Sequence, residues 1–298
     1  MTAFQFDQPT YHLIEKGYGT PLILLHGFTG SSAEWKTFIP DLATGHRVIA
    51  VDLPGHGQTQ PATNGIRVDI ASIADELERI LYQRQAVPAH WLGYSMGGRL
   101  ALYVGLHKPH LVQSLILESA SPGLASAAER RMRREQDESL AKRIETNGVA
   151  AFVDDWERLP LFDSQKNLPA DVRNALRRRR LQNTADGLAT SLRGMGTGVQ
   201  PSLWANLPEL RVRTLLLAGE YDHKFTTINQ RMAEKIPNAR LIIINGTGHS
   251  IHLEQPDIFL TVVQEFLAQP QPHWQDLSGT EQQDKDQSRQ RHLLEPGV

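Results

Sequence analysis

Gly93-Tyr94-Ser95-Met96-Gly97 follows a short apolar run, Ala89 to Leu92, and precedes a segment of helical spacing from Gly98 to Leu106. A G-x-S-x-G between a strand and a helix is the context of a nucleophile elbow. In such an elbow the serine occupies a strained turn that lifts its Oγ above the sheet. The flanking positions must be glycine because a Cβ there would collide with neighbouring backbone. A serine in an ordinary glycine-rich turn is the plain alternative, and the strand-turn-helix setting disfavours it.

Working outward, five more apolar runs read as strands: Pro21 to Leu25, Arg47 to Val51, Ser114 to Glu118, Thr214 to Ala218 and Arg240 to Ile244. Wholly apolar runs of this length belong to parallel strands buried on both faces. The stretch Asp69 to Arg84 repeats apolar residues at Ile70, Ile73, Leu77, Ile80 and Leu81, which predicts an amphipathic helix. Strands alternating with helices make an α/β fold with a mostly parallel, doubly wound sheet. The alternation stops between about Ala125 and Asn206. Helical stretches fill that segment, and it holds 12 of the chain's 23 arginines.

The expected layout is a core from 1–124 and 207–268, a helical cap from 125–206 over the carboxyl ends of the strands, and a disordered tail from 269–298. Open α/β sheets bind ligands at those strand ends. The tail is rich in Gln, Asp and Pro and holds too little apolar surface to offset the entropy of ordering it. Four consecutive arginines, Arg177 to Arg180, must point around a helix, and a solvated surface is the plainer reading for them.

Composition narrows the function classes. The chain has 298 residues and a formal net charge of −2. A balance this near neutral gives no global basic field for nucleic acid. No cysteine is present, which excludes disulfides, a thiolate nucleophile and Cys-ligated metal sites. No apolar run approaches the ~18 residues of a membrane span, and the start lacks a basic segment followed by an apolar one. The expectation is a cytoplasmic protein that acts on a small molecule, without nucleic-acid or membrane partners. Oligomeric state stays open.

A serine hydroxyl needs a histidine to share its proton. His249 follows the strand ending at Ile244 and belongs in a loop at its carboxyl end, with His252 as its rival. His26, His56 and His223 sit in other loops, where supporting roles suit them better. The acid should fall between serine and histidine in chain order. Asp222 meets that requirement after the strand ending at Ala218, with Glu220 the weaker candidate. Developing negative charge on a substrate oxygen needs donors. The loop Leu25-His26-Gly27-Phe28-Thr29-Gly30 and the residue after the serine point to the main-chain amides of Phe28 and Met96.

Five motifs, LHGFTGS (25–31), VDLPGHG (51–57), GYSMGGR (93–99), GEYDHKF (219–225) and GHSIHLE (248–254), together resemble the α/β-hydrolase fold over residues 10–268. The cap resembles, more narrowly, that of the 2-succinyl-6-hydroxy-2,4-cyclohexadiene-1-carboxylate synthases of menaquinone and phylloquinone biosynthesis. ESASPGL (118–124), ERRMRREQD (129–137), DWERLPLF (155–162), GLATSLRGMGTGVQPSLW (187–204) and Arg99 after the elbow carry this second resemblance. It implies an elimination without a cofactor: the serine takes a proton from 2-succinyl-5-enolpyruvyl-6-hydroxy-3-cyclohexene-1-carboxylate, pyruvate leaves, and the oxyanion hole holds the enolate. It also implies substrate contacts for Tyr94, Arg99, Arg133 and Trp156, and for one of Arg179 or Arg180, of which Arg180 is preferred. No metal site is implied.

An arginine-rich cap suits such a polycarboxylate, because guanidinium binds carboxylate in a planar, bidentate way. Two other readings compete. The same triad serves a hydrolase of esters, thioesters or carbon-carbon bonds, and the fold also hosts non-catalytic binding proteins.

Overall fold

The structure is a computed structural model that describes residues 11–59 and 68–269. From residue 270 onward the expected tail lies outside the described residues. The chain divides into two compact units, residues 1–264 and 265–298.

Seven strands form one sheet: β1 (Leu13–Lys16), β2 (Thr20–Leu25), β3 (His46–Val51), β4 (Ala89–Tyr94), β5 (Val112–Glu118), β6 (Arg213–Gly219) and β7 (Ala239–Ile244). Their spatial order is β1-β3-β2-β4-β5-β6-β7. The pairs from β3–β2 to β6–β7 are parallel, with Leu24 opposite Ala50 and Leu92, and Leu117 opposite Leu216. Every apolar run read as a strand is one. Leu22 to Leu25, Trp91, Leu92, Leu115 to Leu117 and Leu215 to Leu217 are fully buried. Each such side chain contributes about 1.5–3 kcal/mol relative to exposure.

β1 was not anticipated. It pairs antiparallel with β3, from Leu13 opposite Val51 to Lys16 opposite Val48. Its sequence LIEK is short and half polar, so periodicity carries no signal. Its Glu15 accepts hydrogen bonds from Arg47 Nε at 2.6 Å and Arg84 Nη1 at 2.7 Å, which blunts this sheet edge with charge.

Helices cover the sheet. After the single turn α1 (Ile39–Leu42), α2 (Ile70–Gln83) buries the apolar face its spacing predicts, and Asp69 caps it by accepting from Ser72 N at 2.9 Å. α3 (Met96–His107) begins directly after Ser95, two residues earlier than its spacing suggests.

Between β5 and β6 the described residues form α4 (Ala127–Trp156), a 3₁₀ segment (Pro160–Asn167), α5 (Ala170–Leu181) and α6 (Ala185–Met195). Ser126 opens α4 with a capping box: its Oγ accepts from Glu129 N while the Glu129 carboxylate accepts from Ser126 N. Gly148, at φ 79° and ψ 170°, breaks α4 into two arms. Ala141, Ile144, Phe152, Val153, Leu188, Ala189 and Leu192 make a small core between α4 and α6, against which Phe28 packs. The joint between α5 and α6 is tied to two core loops. Asn183 Nδ2 donates to Thr29 O at 2.9 Å, and Gly187 comes so close that a Cβ there would lie 2.4 Å from Gly55 O. The helical segment is thus fastened over the β2 loop that should supply an oxyanion donor.

α7 (His223–Ala233), the single turn α8 (Ile251–Glu254) and α9 (Pro256–Ala268) complete the described elements. No helix among the described residues is long and apolar enough to cross a membrane.

Candidate active site

Ser95 sits at φ 47°, ψ −102°, a strained backbone for a side chain bearing Cβ. The turn is over-determined by packing. A Cβ on Gly93 would lie 2.4 Å from Gly97 O, and one on Gly97 would lie 2.4 Å from Leu25 O. Ser95 N donates to Glu118 O at 2.8 Å, and Gly97 N donates to His26 O at 3.1 Å. The elbow is thereby stitched to β5 on one side and to the β2 loop on the other.

The strand ends bring the three ordered residues together. His249 Nδ1–H donates to Asp222 Oδ2 at 2.6 Å, and Ser95 Oγ lies 3.0 Å from His249 Nε2. Asp222 and His249 are buried, so this chain of proton carriers is shielded from bulk water. Asp222 also caps α7 by accepting from Phe225 N at 3.3 Å. The rival acid, Glu220, instead accepts from Gly246 N at 2.8 Å and faces solvent.

His252 is fully buried between two carboxylates, with Nδ1 2.9 Å from Glu118 Oε1 and Nε2 3.4 Å from Glu34. Burial works against its cationic form, but Glu118 and then Glu34 outweigh that and raise its pKa to about 9. It is a structural cation and not the base. His26 accepts from Leu53 N at 3.0 Å through Nε2, which fixes the exit of β3. Burial lowers its pKa and that of His56, the latter to about 3. His223 is exposed at the start of α7.

Phe28 and Met96 line the same cavity as Ser95. Met96 is the first residue of α3, where helix amides lack intrahelical acceptors and the macrodipole favours negative charge.

That cavity, about 190 Å³, is also lined by Tyr94, Arg99, Arg133 and Trp156. Arg99 donates through Nη1 to Gln200 Oε1 at 2.6 Å and through Nη2 to Met195 O at 2.7 Å. Burial and then the nearby Arg133 charge lower its pKa to about 10, while Asp137 acts in the opposite direction. Arg133 Nε donates to Asp137 Oδ1 at 2.7 Å across one helical turn. The Trp156 indole N–H is buried without an acceptor among the described residues, and its ring meets Phe28 edge-on. Tyr94 OH lies 2.6 Å from Ser250 Oγ, while burial raises its pKa well above the ordinary value.

Arg180, the preferred one of the two cap arginines, is not among the residues that line this cavity. Glu157 and Gln165 take its guanidinium at 3.0 and 3.1 Å, and the group stacks 5.3 Å from the Phe162 ring centroid. Gln165 Nε2 donates in turn to Ser250 Oγ at 2.9 Å. Arg180 thus reaches Tyr94 and the residue after His249 only through intermediaries. Arg179 sits 3.9 Å from Glu34 and is likewise absent from the lining.

Several lining residues escaped the sequence reading, among them Phe162, Ser191, Thr197, Lys224 and Phe225. Lys224 and Phe225 stand two and three residues after Asp222 within the GEYDHKF motif, which was the available signal.

The chain matches the family described as α/β hydrolase fold over residues 20–256. A Bacillus subtilis (strain 168) protein, assigned by its name to the 2-succinyl-6-hydroxy-2,4-cyclohexadiene-1-carboxylate synthases, is 44% identical over 83% of this chain and 89% of its own length. The synthase of that name from Serratia proteamaculans is 34% identical over 84% of this chain and 93% of its own. Among solved structures, MenH from S. aureus superposes with a TM-score of 0.82 at 40% identity, covering 86% of this chain and 97% of that one.

Proposed function

Because the chain belongs to the α/β-hydrolase family and, within it, to the 2-succinyl-6-hydroxy-2,4-cyclohexadiene-1-carboxylate synthases, we propose that it works as that menaquinone- and phylloquinone-pathway lyase with Ser95, His249 and Asp222 as its proton-transfer unit. The substrate's ring carbon C2 bears a succinyl ketone, so its proton is acidified by the adjacent carbonyl. Ser95 Oγ accepts that proton while passing its own to His249 Nε2, and Asp222 stabilises the imidazolium. Charge grows on the ketone oxygen, where the amides of Phe28 and Met96 receive it. As the charge returns, C2=C3 forms, the C3=C4 pair moves to C4=C5, and the C5–O bond breaks. Enolpyruvate leaves, takes up a proton and becomes pyruvate. Electrons and protons balance without an added oxidant or reductant.

The observation that carries this reading is the opening of two guanidiniums, Arg99 and Arg133, into the same cavity as Ser95. An acyl pocket for a neutral ester has no use for them, whereas a substrate bearing three carboxylates does. The Trp156 N–H, without an acceptor among the described residues, supplies a further donor. The deciding experiment is pyruvate release from the enolpyruvyl substrate, followed in the wild type and in Ser95→Ala. Pyruvate release by the wild type, its loss in the variant, and no covalent adduct on Ser95 by mass spectrometry support the lyase. An acyl-serine trapped during turnover would return the chain to the hydrolases.

A further inference from the structure

We propose that Lys224 is a third cationic subsite of the Ser95 cavity, and that it holds the carboxylate of the enolpyruvyl group that departs. The proposal rests on the lyase reading above and deepens it.

The substrate has three carboxylates: one on the ring, one at the end of the succinyl chain and one on the enolpyruvyl group. Three cationic side chains line the cavity among the described residues, Arg99, Arg133 and Lys224. The two arginines are near enough for the charge of one to lower the pKa of the other. Lys224 stands apart from them, on the first turn of α7 and two residues after Asp222. Its ammonium lies 5.6 Å from the Phe225 ring centroid, and that ring lies 4.6 Å from the His249 ring. It is therefore on the histidine side of the cavity.

Lys224 differs from the arginines in two further respects. Arg133 is engaged by Asp137 and Arg99 by Gln200 and Met195 O, whereas no carboxylate pairs with Lys224 among the described residues. Arg99 is half-buried, whereas Lys224 is exposed to solvent. A cation open both to the cavity and to solvent suits the part of the substrate that must leave. A flexible ammonium can follow a departing carboxylate, while a guanidinium fixed at two points cannot. The arginines would then keep the two carboxylates that remain on the ring product.

The test compares substrate with product. The enolpyruvyl carboxylate is absent from the ring product, so Lys224→Gln should raise KM for the substrate roughly tenfold, while Ki of the ring product stays within about twofold of the wild-type value. Lys224→Arg should recover most of the loss. An unchanged substrate KM overturns the subsite. A substrate KM and a product Ki that rise together overturn the assignment to the leaving group. A wild type that releases no pyruvate defeats the lyase reading itself, before any Lys224 variant is measured. Unchanged thermal midpoints of the two variants keep a folding defect from imitating the result.

Discussion

Replacing Arg99 or Arg133 by alanine separates a carboxylate-binding lyase from an ordinary serine hydrolase. A charge-assisted hydrogen bond contributes about 1.5–3 kcal/mol, and each 1.4 kcal/mol is a factor of ten. Arg99→Ala should therefore lower kcat/KM on the polycarboxylate by about ten- to a hundredfold. It also leaves Gln200 Oε1 and Met195 O without their donor, which costs about 1–3 kcal/mol of stability, so the thermal midpoint must be measured alongside. Arg133→Ala should do more damage to activity than its own contact implies. Asp137 is buried, its Oδ2 already lacks a partner among the described residues, and the substitution strips Oδ1 as well. A carboxylate that has lost its ion-pair partner, with only the more distant Arg99 charge to balance it, would then stand beside the substrate's own. The double variant Arg133→Ala/Asp137→Asn should accordingly recover part of the loss, a non-additivity that a simple missing contact does not produce. Turnover of 4-nitrophenyl acetate is the control, because Ser95, Asp222, His249 and the proposed oxyanion amides of Phe28 and Met96 are untouched in every variant. If both alanine variants leave the polycarboxylate unaffected, or depress both substrates equally, the arginines are structural and the reasoning fails.

Three other outcomes can be checked. Ser95→Ala and the Ser95→Ala/His249→Ala double variant should lose pyruvate release to a similar extent, since residues acting as a unit are non-additive; multiplying losses would break the pairing. Because the folded-state pKa of His252 is raised from 6.5 to about 9, its contribution to stability is complete below pH 6.5 and disappears as pH rises through 9. Urea unfolding should show a loss on the order of 3 kcal/mol over that window, absent from Glu118→Gln, and a flat profile in the wild type would refute the buried cation. Gly148→Ala has space for its Cβ but not the backbone conformation, so it should lower stability by about 1–3 kcal/mol; an unchanged thermal midpoint would mean that α4 straightens freely.

The parallel strands were legible because burial on both faces leaves an unbroken apolar run such as Leu22 to Leu25, and the elbow because sterics force glycine at 93 and 97. The order of Ser95, Asp222 and His249 followed from where those strands end. β1 was illegible because a four-residue edge strand is held by β3 and by the charge on Glu15, not by its own pattern. The surroundings of Arg180 were illegible for a different reason. A run of four arginines on α5 shows that some side chain must point inward, but not what it will meet there, and Glu157 and Gln165 lie far away in sequence. The twofold excess of arginine in residues 125–206 overstated the charge facing the substrate for the same reason. Arg193 pairs with Glu138 and Glu145, and Arg177 with Asp154 and Glu157. Of the arginines in this segment, Arg133 lines the cavity.

That distribution bears on how the site would favour an anion. Exposed ion pairs such as those of Arg177 and Arg193 each contribute only about 0–1 kcal/mol, and they neutralise the segment's surface without touching the site. Inside the cavity the balance is different. Burial first and then the charge of Arg133 lower the pKa of Arg99, and among the described residues the carboxylate of Asp137 offsets that repulsion. The cavity wall thus carries more positive charge than Asp137 neutralises, on side chains already held in place by Gln200, Met195 O and Asp137. A polycarboxylate entering it relieves that repulsion while the donors pay no further ordering entropy. A neutral ester would leave the repulsion standing. The strained serine and its histidine could serve either substrate; the charge imbalance in the cavity wall favours the anionic one.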